Sequence, residues 1–303
     1  MHQVMGNLLI LLGEPILSLG LLIDGILIGA IFALAAYGLA LVWGVMNVKN
    51  LAQGDFIMIG GYLTWLLGSH GVHPLFGVPL AFVVLWVIGN VLYRTVICKV
   101  ISRDLFTSLL ATFGIAIVIQ QGLNLAFGPD TQSADAQLPT WDFAGGLITV
   151  TATRLIGFGL AAALALAVML LMKRSRMGQA IRATAQDARA ARVLGIDTEK
   201  VYAFTFSLNA AICGAAGALV AVVWNVQPFL GTTYSIRLFV VVTAAGFGNL
   251  PGVISAGFGM GAFEQFGGFI LGAQFQQALI VVLLLIVLAT RQLQQLRVRQ
   301  AVQ

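Results

Sequence analysis

A handful of ionisable and polar side chains stand inside or beside long apolar stretches of this chain. Asp24 begins the first of those stretches, Asp55 follows Asn50-Leu51-Ala52-Gln53-Gly54, and Glu264 ends a glycine-rich one. Charge at membrane depth is costly and marks pathways, proton relays or ion sites. Asp55 also suits a helix N-terminus, where the dipole favours a carboxylate, and Asp24 and Glu264 suit the membrane interface. Arg237, in YSIRLF, is expected to snorkel to the outer headgroups. Asn47, Asn50, Gln53, Gly54, Asp55, Thr243 and Asn249 cluster near two chain breaks. They form a candidate translocation path for a zwitterion, or they satisfy backbone groups that the breaks set free. Hydrolytic chemistry has no such candidates. Gly-X-Ser-X-Gly and His-Glu-X-X-His are missing, and His70 and His73 have no nearby acid or thiol to complete a metal site. Lys49, Lys99, Lys173 and Lys200 follow Val, Cys, Met and Glu, so the Gly-Lys-Ser/Thr of a phosphate-binding loop does not occur. No catalytic, cofactor or metal residue is therefore expected.

The elements that would position these groups are membrane helices. Of 303 residues, 59% are apolar and 9% charged, with 35 Gly and a mean hydropathy of +0.97. Soluble domains carry about 25% charge, and disorder needs low hydrophobicity, so both classes are excluded. A net charge of +5 is too modest and too dispersed to imply a nucleic-acid partner. Cys98 and Cys213 lie in apolar stretches and imply neither disulfide nor metal. The first twenty residues lack a basic n-region and are broken by Glu14-Pro15, which reads as a short or interfacial helix.

A span needs roughly 20 apolar residues for about 30 Å of hydrocarbon. Leu19–Val45, Leu75–Lys99, Thr107–Phe127, Arg154–Met172, Val201–Val223 and Phe275–Ala289 qualify. Asn47–Leu67 and Ile236–Leu271 are interrupted by Gly54, Gly60 and Gly61 and by the Gly248–Gly252 turn. These read as broken or re-entrant helices inside the bundle, where protein or a water-filled path can satisfy freed backbone. The expectation is an all-α polytopic transmembrane bundle of about eight membrane-embedded helical elements, a single transmembrane domain over residues 1–303. Gly25, Gly29, Gly214, Gly217, Gly257, Gly259 and Gly261 suit close helix packing. NVKNLAQGDFIMIGGYL and GFGNLPGVISAGFGMGAF echo one another loosely, as paired interrupted segments do in transporters.

Charge sets the orientation. Basic residues concentrate at Arg94–Arg103, at Lys173–Lys200 and at the C-terminus (Arg291, Arg297, Arg299), whereas residues 128–146 hold three Asp and no Lys or Arg. The former face the cytoplasm and the latter the outside. Seven of the sixteen basic residues crowd the 173–200 loop. Within it Met177, Ile181, Thr184, Ala188, Ala191 and Gly195 recur at steps of three or four and predict one helix with a small apolar face, stopped at Gly195. Such a helix lies on the membrane surface or docks into a groove on a partner.

ARAARVLGID, preceded by GQAIRATAQD, resembles the coupling loop of ABC-importer permeases of the branched-chain amino acid type, of general form Glu-Ala-Ala, three residues, Gly. GLALVWGVMNVKNLAQGDFIMIGGYL, LLATFGIAIVIQQGLNLAFGPD and GFGNLPGVISAGFGMGAFE resemble that family's other segments, in order, from about Gly20 to Thr290. The resemblance implies a multi-pass permease of a bacterial inner membrane, paired with a second, similar permease. Cytoplasmic ATP-binding subunits would dock on the loop and hold the ATP, and a periplasmic binding protein would deliver the amino acid. Ala190, Ala191 and Gly195 fill the Ala-Ala…Gly positions, Arg182 flanks them, and Arg189 replaces the Glu. Urea or short amides as cargo, or an ion-coupled carrier using Asp24, Asp55 or Glu264, are the alternative readings.

Overall fold

The structure, a computed structural model, describes residues 2–101, 104–136, 138–143, 148–246 and 249–301. Arg103 and Gly248, used above for the charge map and the second break, lie outside them, as do the side chains of Arg297 and Arg299. A short α1 (His2–Gly13) is separated by Glu14 from α2 (Pro15–Met46), whose proline occupies the first helical position, where its missing N–H costs nothing. Then follow α3 (Gln53–Ser69), α4 (Gly77–Leu92), a π-helical turn (Tyr93–Ile97) leading into α5 (Cys98–Val100), and α6 (Leu105–Phe127). A two-stranded antiparallel hairpin, β1 (Thr140–Phe143) and β2 (Ile148–Thr151), stands at the acidic loop, a small departure from the all-α expectation. After it come α7 (Ala152–Arg174), α8 (Arg176–Gln186), α9 (Ala188–Val193), α10 (Thr198–Val223), α11 (Gly231–Ala245), α12 (Leu250–Leu271) and α13 (Gln276–Ala301).

Among the described residues seven segments are long and apolar enough to cross a bilayer: Pro15–Met46, Pro74–Val100, Phe106–Phe127, Ala152–Arg174, Thr198–Val223, Pro228–Ala245 and Ala273–Gln292. The 17-residue α3 and the glycine-rich α12 complete the bundle from within. α2 and α10 form its centre, and α6 and α13 its rim, with Val118, Leu125, Leu285 and Ile286 turned outward as a hydrocarbon environment permits.

Glycine sets the closest approaches. A Cβ on Gly29 would lie 2.6 Å from the Gly257 carbonyl oxygen, and one on Gly261 2.1 Å from that of Gly25. α2 and α12 therefore pack antiparallel with backbones touching. On the other side of the core a Cβ on Gly217 would meet the Ile57 carbonyl at 1.9 Å, which seats α3 directly on α10. These contacts, read with the basic ends of α7 and α13, give a consistent course. α2, α4, α7, α11 and α13 run toward the cytoplasm, and α3, α6, α10 and α12 run outward. Asn7 ties α1 to the outer end of α12 through the Phe269 carbonyl (2.8 Å). The outer loop is pinned to the end of α10, with the Gln132 and Ala134 N–H groups donating to the Val226 and Ala221 carbonyls.

Candidate functional site

The first break lies where the sequence places it. α2 stops at Asn47, whose φ of 53° is left-handed and whose N–H still reaches the Trp43 carbonyl (3.0 Å). Asparagine tolerates that conformation. Asn47 itself is exposed, while Lys49 lies over the Trp43 ring at 5.1 Å. Residues 47–52 then climb back into the bundle, so that α3 starts beside the middle of α10. Several of the freed groups there find side-chain partners. Asn50 Oδ1 accepts from the Ala52 N–H (3.1 Å) and its amide donates to Gln53 Oε1 (3.3 Å). Gln53 and Asn209 exchange a reciprocal amide pair at 2.7 and 2.9 Å, and both are fully buried. The Leu51 N–H donates to Thr112 Oγ1 (3.1 Å), and Ser235 Oγ accepts from the Gly54 N–H and donates to the Leu51 carbonyl, each at 2.9 Å. Asn50 and Gln53 thus satisfy the backbone of the break and each other; neither faces open space.

Asp55, in the first turn of α3, is 1% exposed. Its Oδ1 accepts from Gln120 Nε2 at 2.9 Å, and Oδ2 has no partner. Gly231 makes room for it, because a Cβ there would fall 2.0 Å from Oδ1. Asp55 thus occupies the first turn of α3, with its carboxyl buried inside the bundle.

The second break is a hairpin, but its turn does not lie in the bundle interior. α11 and α12 form a helical hairpin whose turn sits at the cytoplasmic end, where Arg291 Nη2 donates to the Ala244 carbonyl (2.7 Å). Asn249 is exposed and caps α12, accepting from the Gly252 N–H at 3.1 Å and donating to the Ala245 carbonyl at 3.3 Å. Thr243 is buried on α11, a separate place from the Gln53 network. The structure brings Asn50, Gln53, Gly54 and Asp55 together and leaves Asn47, Thr243 and Asn249 apart. A Pro-Gly turn reads alike in sequence whether it interrupts a span or joins two of them, so hydropathy alone does not separate these cases.

Two further charges are placed otherwise than expected. Arg237 does not reach the headgroups. Its Nη2 lies 2.5 Å from Glu264 Oε1, with side-chain exposures of 14% and 9%. Glu264 is accordingly a buried group and not an interfacial one. Asp24 sits ten residues into α2 and pairs with Arg154 at 2.6 Å.

The cytoplasmic segment folds as two helices, not one. Ser175 caps α8, accepting from the Gly178 N–H (2.9 Å). Asp187 takes extended geometry and caps α9 through the Arg189 and Ala190 N–H groups (2.7 and 3.0 Å). Those N–H groups hold the Asp187 carboxyl below the ordinary carboxylate range. The predicted periodicity runs on through this break because the buried positions keep their spacing. Gly178, Ile181, Thr184 and Ala191 all turn inward against the membrane helices. Ala191 is therefore packed inside the chain. Arg182 hydrogen-bonds the Met172 carbonyl at the end of α7, while Arg189 and Ala190 are exposed. Gly195 has a φ of +83°, a turn that β-carbon residues rarely adopt. Between Ala191 and that turn Val193 and Leu194 stand 88% and 79% exposed, an apolar knuckle that the residue-type pattern gave no reason to single out.

Residues 21–289 match the protein family described as "Branched-chain amino acid transport system / permease component". The chain belongs to that family. It is 29% identical over 292 residues to the high-affinity branched-chain amino acid transport system permease protein LivH of Salmonella typhimurium, covering 88% of this chain and 91% of that one. BraD of Pseudomonas aeruginosa is 28% identical (89% and 92%), and a probable LivH of Methanocaldococcus jannaschii is 27% identical (92% and 90%). A chain of the solved complex "PsaBC from Streptococcus pneumoniae in complex with Fab" shares the fold at 13% identity and a TM-score of 0.50, covering 88% and 90%. The protein is thus a multi-pass membrane protein of a transport permease family, in which the helical bundle, the broken α3 and the cytoplasmic segment are parts of a transport subunit.

Proposed function

We propose that this chain is the permease subunit of an ATP-driven importer, carrying branched-chain or related small amino acids inward across a bacterial inner membrane. The curated relatives named for that cargo span nearly its whole length. In this reading a second, similar permease completes the path, a periplasmic protein delivers the solute, and partner subunits bind and hydrolyse ATP. The whole chain acts as a single permease domain, residues 173–200 are its coupling loop, and Gln53–Asp55 stand at the broken element beside the path.

The observation that carries the mechanical part is the Val193–Leu194 knuckle. Two large apolar side chains exposed on a cytoplasmic turn, preceded by Arg189 and Arg192, fit a pocket on a partner protein. Asp187 and Gly195 fix the turn at both ends, and α8 is clamped to α7 by Arg182. A push on the knuckle is thereby transmitted to α7 and α10.

Uptake of L-leucine into vesicles tests this. Uptake that persists with a proton uncoupler and requires co-expressed ATPase subunits is expected. Uptake without any ATPase, abolished by Asp55→Asn, would overturn it in favour of ion coupling.

A further inference from the structure

A second buried constellation lies away from the broken helix. Between α2, α11 and α12 a cavity of about 250 Å³ is lined by Trp224, Asn225, Thr233, Arg237, Glu264 and Gln265. At about 30 Å³ for each water, that volume holds roughly eight waters, and so a small amino acid. It lies in the outer half of the bundle, next to the outer end of α10, and Asn225 at its edge is exposed. The Arg237–Glu264 pair forms its charged wall. The guanidinium is held flat by two rings, 5.4 Å from the Phe32 centroid and 4.9 Å from that of Tyr234.

The pair is incompletely used. Glu264 Oε2 and Arg237 Nε are both buried and both without partners. A buried ion pair does little for stability unless its remaining lone pairs and protons are satisfied, and apolar residues of similar volume do as well or better. What such a pair does offer is a guanidinium and a carboxylate, opposite in charge, in the wall of one small cavity. An α-amino acid presents the complementary couple, a carboxylate for the guanidinium and an ammonium for the carboxylate. Its neutral sum also matches the neutral sum of the pair.

We propose that this cavity is an outward-facing binding site for a zwitterionic amino acid, with Arg237 receiving the α-carboxylate and Glu264 the α-ammonium. The proposal rests on the transport reading above and names the site on this chain that would take the cargo.

The test uses the full-length chain in native membranes, with Asn225→Cys as reporter in a Cys98→Ala/Cys213→Ala background. L-Leucine is expected to slow alkylation of that cysteine, whereas leucinamide, lacking the carboxylate, and 4-methylpentanoate, lacking the amine, are expected to need at least about tenfold higher concentration, since each loses one charge-assisted hydrogen bond. Arg237→Met/Glu264→Met removes both charges at similar volume and should abolish protection while the protein still reaches the membrane. Glu264→Gln should weaken leucine protection and leave that by 4-methylpentanoate unchanged. Absence of protection in the parent chain, or equal protection in the double-methionine variant, overturns the proposal. ATP-dependent leucine uptake by the assembled transporter is read separately. If it persists in the double-methionine variant, the site fails and the transport reading stands. If protection holds but uptake needs no ATPase, the transport reading fails and the site stands.

Discussion

At the scale of single residues, the chain concentrates its hydrogen-bonding risk in a few fully buried amides. Gln53 and Asn209 lie 156 positions apart and satisfy each other. Removing Gln53 therefore takes away the partner of the Asn209 amide, which costs about 1–3 kcal/mol, with the lower end favoured in membranes because unfolded helices also find partners there. Gln53→Leu is expected to lower the thermal midpoint in detergent, and Gln53→Leu/Asn209→Leu to recover most of the loss; a double variant worse than the sum of the singles would contradict the pairing. Asp187 makes a prediction in pH. Its carboxyl sits below the ordinary 3.8 because the charged form caps α9. Its contribution is complete above that ordinary value and disappears as pH falls through the lower, folded one. Protease nicking of the 187–195 turn should therefore rise only in strongly acidic buffer. Asp187→Asn should remove the pH dependence, and Asp187→Ala should expose the turn at every pH.

At the scale of elements, what hydropathy could show and what it could not divide cleanly. Six of the spans were legible because a bilayer demands a length of apolar residues, and the break before Gln53 was legible because Asn and Gly interrupt that length. The division at Asp187 was hidden, since the buried positions Ile181, Thr184 and Ala191 keep helical spacing through it; the Asp-Ala-Arg-Ala capping pattern was the available sign. The Arg237–Glu264 pair joins two helices 27 residues apart, and no periodicity links them. Glycines were legible as a class but not individually. A Cβ on Gly217 would meet the Ile57 carbonyl oxygen at 1.9 Å, whereas one on Gly114 of α6 would meet open space. Gly217→Ala should thus cost about 3 kcal/mol or more, since the obstacle is a carbonyl that cannot rotate away. Gly114→Ala should be neutral or stabilise by up to ~1 kcal/mol through helix propensity. Thermal unfolding of both in one detergent separates them, and equal effects would mean that α3 does not rest on α10 as described.

At the scale of the whole molecule, the arrangement amounts to a claim about sidedness and force. The acidic loop and the Arg237–Glu264 cavity share one end of the bundle, and the Val193–Leu194 knuckle, Arg291 and the α11–α12 turn share the other. α10 runs between them, buried over nearly its whole length and touching α2, α3, α4 and α7. A displacement at the knuckle therefore reaches the Gln53–Asn209 pair before it reaches the outer cavity, and it can do so without altering the cavity itself. Val193→Asp/Leu194→Asp should accordingly abolish ATP-driven uptake by roughly the tenfold or more that loss of a buried interface anchor brings, while leaving thermal stability within about 0.5 kcal/mol, because both side chains are exposed in the isolated chain. Ala191→Asp, one turn earlier, should do the opposite: it places a carboxylate against α10 and lowers stability first. Sidedness is checked on the same background, with an impermeant maleimide labelling Ser133→Cys from outside intact cells and Leu194→Cys only after the membrane is opened. Labelling of both from one side would break the link between motor and cavity on which the coupling depends.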